Sequence, residues 1–335
     1  TTAASPPIEG GGRVSAARII RDGAHLPPEV QGAAVTVGTF DGVHRGHLDL
    51  ISRLVASARA AGLHSVAITF EPHPLDVVNP AAAPPLLTVG DEKLDVLCET
   101  GLDHVVVLAF THELASLSAT EFVDQVLRDN FRMKHLLIGH DHGFGRERAG
   151  NATVLQSLGA SRGFSVGVVD PVAAEDGRWV SSTAIRRAVA GGDLPRASQL
   201  LGRPYSISGT VVPGAARGRA LGFPTLNLSQ PSPRKLLPPD GVYAVRVKTP
   251  QGTYGGMMNL GPRPTFGDHE RSIEAYLFDV SGDFYGQAVR IDVLKRLRDT
   301  RAFASPDELV QQIKLDEADA RSALTVASSQ GNLKG

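Results

Sequence analysis

A change of rhythm in the apolar runs limits what this chain can fold into. Between residues 33 and 190 the β-branched runs "AAVTVGTF", "HSVAITF", "DHVVVLAF", "KHLLIG" and "FSVGVVD" are separated by amphipathic stretches. Strands that alternate with helices form parallel sheets, because a parallel pair needs a long crossover, so this half predicts a Rossmann-like, doubly wound α/β domain. Two helix starts are marked: Asp91 opens "DEKLDVLCET", and Ser118 with Glu121 makes a capping box ahead of "FVDQVLRDN". From residue 205 on, the runs "YSISGTVV", "GVYAVRVK", "GTYGGMMNL", "SIEAYLFDV" and "QAVRIDVLKRL" follow one another with only Gly- and Pro-rich breaks. That pattern predicts a small antiparallel β-barrel. One helix closes the chain in "SPDELVQQIKLDEADARSAL", with Ser305 as N-cap, Pro306 as first helical residue and Glu308 as capping-box partner. The expected domains are 15–190 and 205–330 with a linker at 191–204, and "NPAAAPPLL" at 79–87 is expected to be a mobile loop.

Composition sets further bounds. A chain of 335 residues suits two hydrophobic cores better than one. Its formal charge of −1 gives no global attraction to nucleic acid or an anionic membrane, so any anion site must be local. The single cysteine, Cys98, excludes an intrachain disulfide and any Cys-rich zinc module, and core packing is expected of it. No uninterrupted apolar stretch reaches the roughly 18 residues of a membrane span. The opening "TTAASPPIEGGGRVS" lacks the apolar centre of a signal peptide, and without an initiating Met this end is expected to have been trimmed. A cytoplasmic protein with no membrane or nucleic-acid partner is expected; a homo-oligomer is compatible with the sequence but nothing in it requires one.

The stretch "TVGTFDGVHRGHLDLI", residues 36–51, joins the first of these runs to an amphipathic stretch through a glycine-rich turn. Ligands of open α/β sheets bind at the carboxyl ends of strands, where this turn lies. Gly38, Gly42 and Gly46 allow close backbone approach, and a helix starting near Arg45 offers free N–H groups and a positive dipole end. His44 and His47, three apart, can both face one anion and would act as phosphate donors, not as nucleophiles. Zinc would need a third protein ligand. A polar turn without function is the remaining alternative.

"GTFDGVHRGH" resembles the nucleotidyltransferase signature in which a His-x-Gly-His element holds the triphosphate of ATP. "HRGH" alone is shared with class I aminoacyl-tRNA synthetases and cytidylyltransferases, so further stretches must decide. "FEPHP" (70–74), "GHDHGFGRERAGN" (139–151) and "VSSTAIR" (180–186) fall at strand ends or a helix start. Together with the turn they resemble the FAD synthetase module of the bacterial bifunctional riboflavin kinase/FMN adenylyltransferase family. The resemblance implies ATP binding by Gly38, Phe40, Asp41, Gly46, Asp141, Ser182, Thr183 and Arg186, catalytic roles for His44 and His47, and a flavin or phosphate contact for His73. Hydroxyls and a guanidinium beside free helix N–H groups do form an anion nest. Ser182 or Thr183 could instead merely cap the helix. His142 stands where the family commonly has an aromatic residue.

In "GTVVPGAARGRALGFPTLNL" (209–228), Gly214 and Gly218 can line a phosphate-covering loop in which Arg217 and Arg219 neutralise charge. Thr225 and Asn227, two apart on an extended segment, project to one side and offer neutral oxygens to a hard cation such as Mg²⁺. The segment resembles the riboflavin kinase signature, with Leu226 in place of the usual Ala. "SIEAYLFDVSGDFYG" resembles the family around its catalytic glutamate, which maps to Glu274; strand alternation puts Glu274, Tyr276 and Phe278 on one face. Asn259 and Arg263 in "NLGPRPTF" are structural or flavin-side candidates. The resemblance thus implies two modules: a nucleotidyltransferase domain and a riboflavin kinase barrel. They would convert riboflavin to FMN and FMN to FAD, with ATP as co-substrate and Mg²⁺ as cofactor. Two rival readings are an enzyme with one module inactive and a flavin or nucleotide sensor without turnover. A tRNA ligase is disfavoured, since no basic face is evident.

Overall fold

The computed structural model describes residues 17–21, 25–140, 143, 145, 150–214, 222–262, 271–280 and 282–331. Two compact units divide it. The first holds residues up to Phe40, His47–Ala83 and Lys93–Pro171, and the second holds Asp41–Gly46, Pro84–Glu92 and everything from Val172 onward.

The first unit is built on a six-stranded parallel sheet in the order β1-β4-β3-β2-β5-β6. Its strands are β1 (Arg18–Arg21), β2 (Ala33–Val37), β3 (His64–Glu71), β4 (His104–Ala109), β5 (Met133–Gly139) and β6 (Ser165–Val169). All five expected runs become strands, and β1 is an addition that pairs with β4. Every residue of the central β2 is buried, as both faces of such a sheet are covered. Helices α1 (Arg45–Ala60), α2 (Pro74–Val78), α3 (Asp91–Cys98) and α4 (Ala152–Arg162) are among those that follow the strands. The capping box forms: Ser118 Oγ accepts from the Glu121 N–H at 3.2 Å, and the Glu121 carboxylate accepts from the Ser118 N–H at 2.8 Å. Residues Phe122–Asn130 then wind as a π-helix. Their buried positions, Phe122, Val123, Val126 and Leu127, suit either winding, so apolar spacing could not foretell it.

In the second unit, α5 (Ser182–Ala190) and α6 (Leu194–Leu201) precede a closed barrel of order β10-β11-β8-β7-β12-β9. Its strands are β7 (Tyr205–Val212), β8 (Thr225–Leu228), β9 (Gly241–Thr249), β10 (Gly252–Pro262), β11 (Arg271–Leu277) and β12 (Ala288–Arg298), every pairing being antiparallel. The doubly wound sheet, the barrel and the closing helix α7 (Pro306–Gly331) are the architecture expected. At the start of α7 the Ser305 cap forms at 3.2 Å, while the Glu308 carboxylate takes the N–H of Ala304 in place of that of Ser305. Ala320 of this helix packs with Ala244, Met257 and Phe278 on the outer face of the barrel.

Two expectations are corrected here. Residues 191–204 are not a bare linker: Asp193 caps α6 through the Arg196 N–H at 3.0 Å, and Leu194, Ala197, Leu200 and Leu201 are buried in one core with Ile207, Val245 and Ile291 of the barrel. Residues 79–87 are not a mobile loop, because Leu86 pairs with Lys235 in a parallel bridge and Leu87 is buried in that same core.

Candidate active sites

The turn after β2 is strained and braced. Phe40 (φ 47°) and Val43 (φ 38°) adopt left-handed backbone without being glycine, alongside Gly42 at φ 81°. Such residues cost on the order of 1–3 kcal/mol each and persist only where their surroundings over-determine them. In the second unit those surroundings are specific. The Asp41 carboxylate is buried, and its Oδ1 accepts the N–H groups of Leu87 (2.9 Å) and Thr88 (3.1 Å). Its Oδ2 pairs with Arg186 at 2.8 Å, and the Arg186 Nε donates to the Pro85 carbonyl at 2.9 Å. Thr88 Oγ1 accepts from the Gly42 N–H at 3.0 Å, and Arg203 donates to the carbonyls of Gly42 (2.7 Å) and Val43 (2.9 Å). Asp41, expected to bind ATP, is thus turned into the protein as a brace.

Helix α5 brings its first turn to the same segment. Ser181 is the N-cap, its Oγ accepting from the Ala184 N–H at 3.2 Å, so neither Ser182 nor Thr183 caps this helix. Ser182 Oγ donates to the Asp41 carbonyl at 2.9 Å, and Thr183 is exposed. Gly46 packs close to the His44 ring, which lies 3.3 Å from where a Cβ would be. Asp41, His44, Gly46, Ser182 and Arg186 are therefore gathered in one unit.

In the first unit, the Phe40 ring packs edge-on to His47 with centroids 5.2 Å apart, and Gly38 lies on the same ring, 3.2 Å from a would-be Cβ. Phe40 is a buried support for the His47 ring. His73 lies two residues beyond the end of β3 as the N-cap of α2, its Nδ1 accepting from the Leu75 N–H at 3.2 Å. That acceptor role places the ring proton on Nε2. Asp141 lies outside the described residues, as does its neighbour His142.

The barrel aligns the second set. Antiparallel register sets Asn227 opposite Glu274, and Glu274 opposite Asn259, so the three form one cross-strand row. Thr225 and Tyr276 form the next row on that face. The alternate residues Ile273, Ala275 and Leu277 are buried in the core, and Leu226 packs on it, away from Thr225 and Asn227. Gly214 lies so close to Asn227 that a Cβ would sit 2.1 Å from its Nδ2. A cavity of 450 Å³ opens beside Thr225, lined also by Pro224, Val280, Asp283 and Tyr285. Arg217, Gly218, Arg219 and Arg263 lie outside the described residues.

Two sets of side chains on two architectures match two separate families. The family model for FAD synthetase matches residues 26–184, and that for riboflavin kinase matches residues 201–324. A bifunctional riboflavin kinase/FMN adenylyltransferase of Pseudomonas fluorescens is 39% identical over 305 residues, covering 91% of this chain and 97% of that protein. The chain belongs to the bifunctional riboflavin kinase/FMN adenylyltransferase family. Like-named proteins of Escherichia coli K12 (40% identical, covering 87% of this chain and 92% of theirs) and Bacillus subtilis 168 (35%, covering 88% and 94%) agree. As a member of this family the enzyme phosphorylates riboflavin to FMN with ATP, then adenylylates FMN to FAD with release of pyrophosphate. A solved structure from Streptococcus pneumoniae, described as a macrolide-efflux protein, shares the architecture at 34% identity and a TM-score of 0.80, covering 90% of this chain and 98% of its own. That description is of the other protein; among the described residues here, no helix is long and apolar enough to cross a membrane.

Sequence reasoning missed Ser181, Thr88, Arg203, Glu92 and Lys235. Ser181 was legible in principle, as the first of three consecutive cap-capable residues. The other four carry no local signal.

Proposed function

We propose that residues 15–190 carry adenylyl transfer through His44, His47, Ser182, Thr183 and Arg186, and that the barrel carries riboflavin phosphorylation through Glu274, Thr225 and Asn227. The observation that supports this most is the cross-strand row of Asn227, Glu274 and Asn259 beside Thr225, which sets a carboxylate next to two neutral oxygen donors on one face. Glu274 takes the proton of the riboflavin 5′-hydroxyl, or orients it, as that oxygen attacks the γ-phosphorus of ATP, the bond from that phosphorus to the β,γ-bridging oxygen breaks and ADP leaves. The donor set suits Mg²⁺. Among the described residues no group of three His, Cys, Asp or Glu could hold a metal by itself, so Thr225 and Asn227 would share the ion with phosphate oxygens and water. When bound, Mg²⁺ neutralises charge on the phosphates. The cavity beside Thr225 receives one of the kinase substrates.

In adenylyl transfer an FMN phosphate oxygen attacks the α-phosphorus and pyrophosphate leaves, with no covalent enzyme intermediate. His44 and His47 donate to the triphosphate, and the N–H groups opening α5 add a positive dipole end. A guanidinium has five N–H donors, so the bonds from Arg186 to Asp41 and Pro85 fix its plane and leave others for phosphate. Positioning and charge neutralisation carry both reactions.

The test separates the modules. His47→Ala removes FAD formation and spares FMN formation, whereas Glu274→Gln does the reverse when FMN is supplied; flavins are separated chromatographically after incubation with ATP and Mg²⁺. Loss of both activities in either folded variant would refute the division of labour.

A further inference from the structure

Lys235 lies between β8 and β9, with its ammonium fully buried. It donates to Glu92 Oε2 (2.6 Å), the Ser206 carbonyl (2.7 Å) and the Leu87 carbonyl (2.8 Å), and it sits 4.6 Å from the centre of the Tyr205 ring. Its three donors thus have three acceptors. Glu92 is used as fully: Oε1 accepts from the Ser208 N–H at 2.8 Å and Oε2 from the Val89 N–H at 3.1 Å. Beside this pair residues 85–88 run as a strap along 234–236, with Leu86 N–H on the Arg234 carbonyl (2.6 Å) and Leu236 N–H on the Leu86 carbonyl (2.8 Å). The next residues of the strap, Leu87 and Thr88, hold Asp41 and Gly42, and Pro85 holds Arg186. All of these groups belong to the second unit.

Burying an ammonium and a carboxylate adds little net stability compared with apolar residues of the same volume. What such a pair does supply is one allowed register, because every donor and acceptor is lost if the strap slides. The strap spans the distance from barrel strand β7 to the turn that precedes α1 by hydrogen bonds alone, with no solvent-exposed step among Lys235, Glu92, Thr88 and Asp41.

We infer that Lys235, Glu92 and Thr88 are positioning residues for FMN adenylylation: the barrel lysine and its carboxylate set the strap, and the strap sets Asp41, Gly42 and the plane of the Arg186 guanidinium. The inference rests on the reading of Arg186 as a phosphate ligand. It makes a residue inside the riboflavin kinase match, 201–324, necessary for the other reaction.

Steady-state kinetics of both reactions on the full chain test it. Thr88→Val keeps volume and removes the hydroxyl; for adenylylation kcat should fall, or KM for ATP rise, by about tenfold or more, as small misplacements do, while riboflavin phosphorylation holds and the melting temperature falls only by the few degrees that the orphaned Gly42 N–H costs. Thr88→Ser should recover the loss. The double variant Lys235→Met/Glu92→Leu leaves no charge unpaired but frees the backbone partners of both side chains, so it should show the same selective loss of adenylylation together with a lowered melting temperature. Unchanged adenylylation in both variants overturns the inference, as does a parallel fall of both activities in the double variant, which would make the pair a prop of the barrel. Arg186→Ala separates the two levels. If adenylylation survives it, the phosphate role of Arg186 is wrong; if it fails there but not in the strap variants, only the positioning role falls.

Discussion

A Cβ built on Gly214 would lie 2.1 Å from Nδ2 and 2.3 Å from Cγ of Asn227, inside any contact distance. Gly214→Ala therefore forces the Asn227 amide off the face it shares with Thr225. FMN formation should fall by about tenfold or more, while FAD formation from supplied FMN stays; timed assays of each product check this, and equal loss of both would show a general folding defect. The residues of that face, Thr225, Asn227 and Glu274, were readable from sequence because a period of two decides which side chains share a surface. The brace around Asp41 was not. Its carboxylate is satisfied by backbone N–H groups 46 and 47 residues further on, and every residue type but proline carries that donor.

The same distinction holds for elements. Long alternating runs announced their strands, but β1 and β8 have four residues each, too few for a period to show. The helix in the expected linker is marked by Asp193, Pro195 and apolar positions 194, 197, 200 and 201, and it falls where one pattern gives way to the other. At the starts of β3 and β4, His64 Nδ1 and His104 Nε2 lie 3.1 Å apart with rings stacked at 24°. Burial first, then the His64 neighbour, push His104 below its ordinary value of 6.5; Asp103 opposes them, and Arg18 (lowering) and Glu29 (raising) contribute less. Burial lowers His135 on β5 as well. A histidine depressed in the folded state binds fewer protons there than when unfolded. The stability it contributes is present above the unfolded pKa and is lost as pH falls towards the folded one. Urea unfolding should therefore show the protein weakening as the pH falls through and below the ordinary histidine value of 6.5, and His104→Gln should flatten part of that slope. An unchanged slope would place the titration elsewhere.

For the whole molecule, the boundary at which compact packing changes, between Pro171 and Val172, differs from the end of the FAD synthetase match at residue 184. Helix α5 thus carries Ser182, Thr183 and Arg186, proposed above for adenylyl transfer, while its buried side, Ile185 and Val189, shares a core with the barrel. Cutting the chain at residue 205 would strip that core of Ile185, Val189, Leu194, Leu200 and Leu201. Burial of each such side chain contributes about 1.5–3 kcal/mol, so their joint loss is comparable to the roughly 5–15 kcal/mol that stabilises a whole domain. A fragment of residues 172–331 should then unfold cooperatively in urea, and one of residues 205–331 should show a far lower midpoint or no cooperative transition. Both fragments lack Glu92 and Leu87, so Lys235 loses the same two acceptors in each, and the comparison reads what residues 172–204, with α5, α6 and the buried Ala174 and Val180, add to the core. Coincident unfolding curves would mean that the barrel keeps its core without α5 and α6, and that the two activities meet only through the strap.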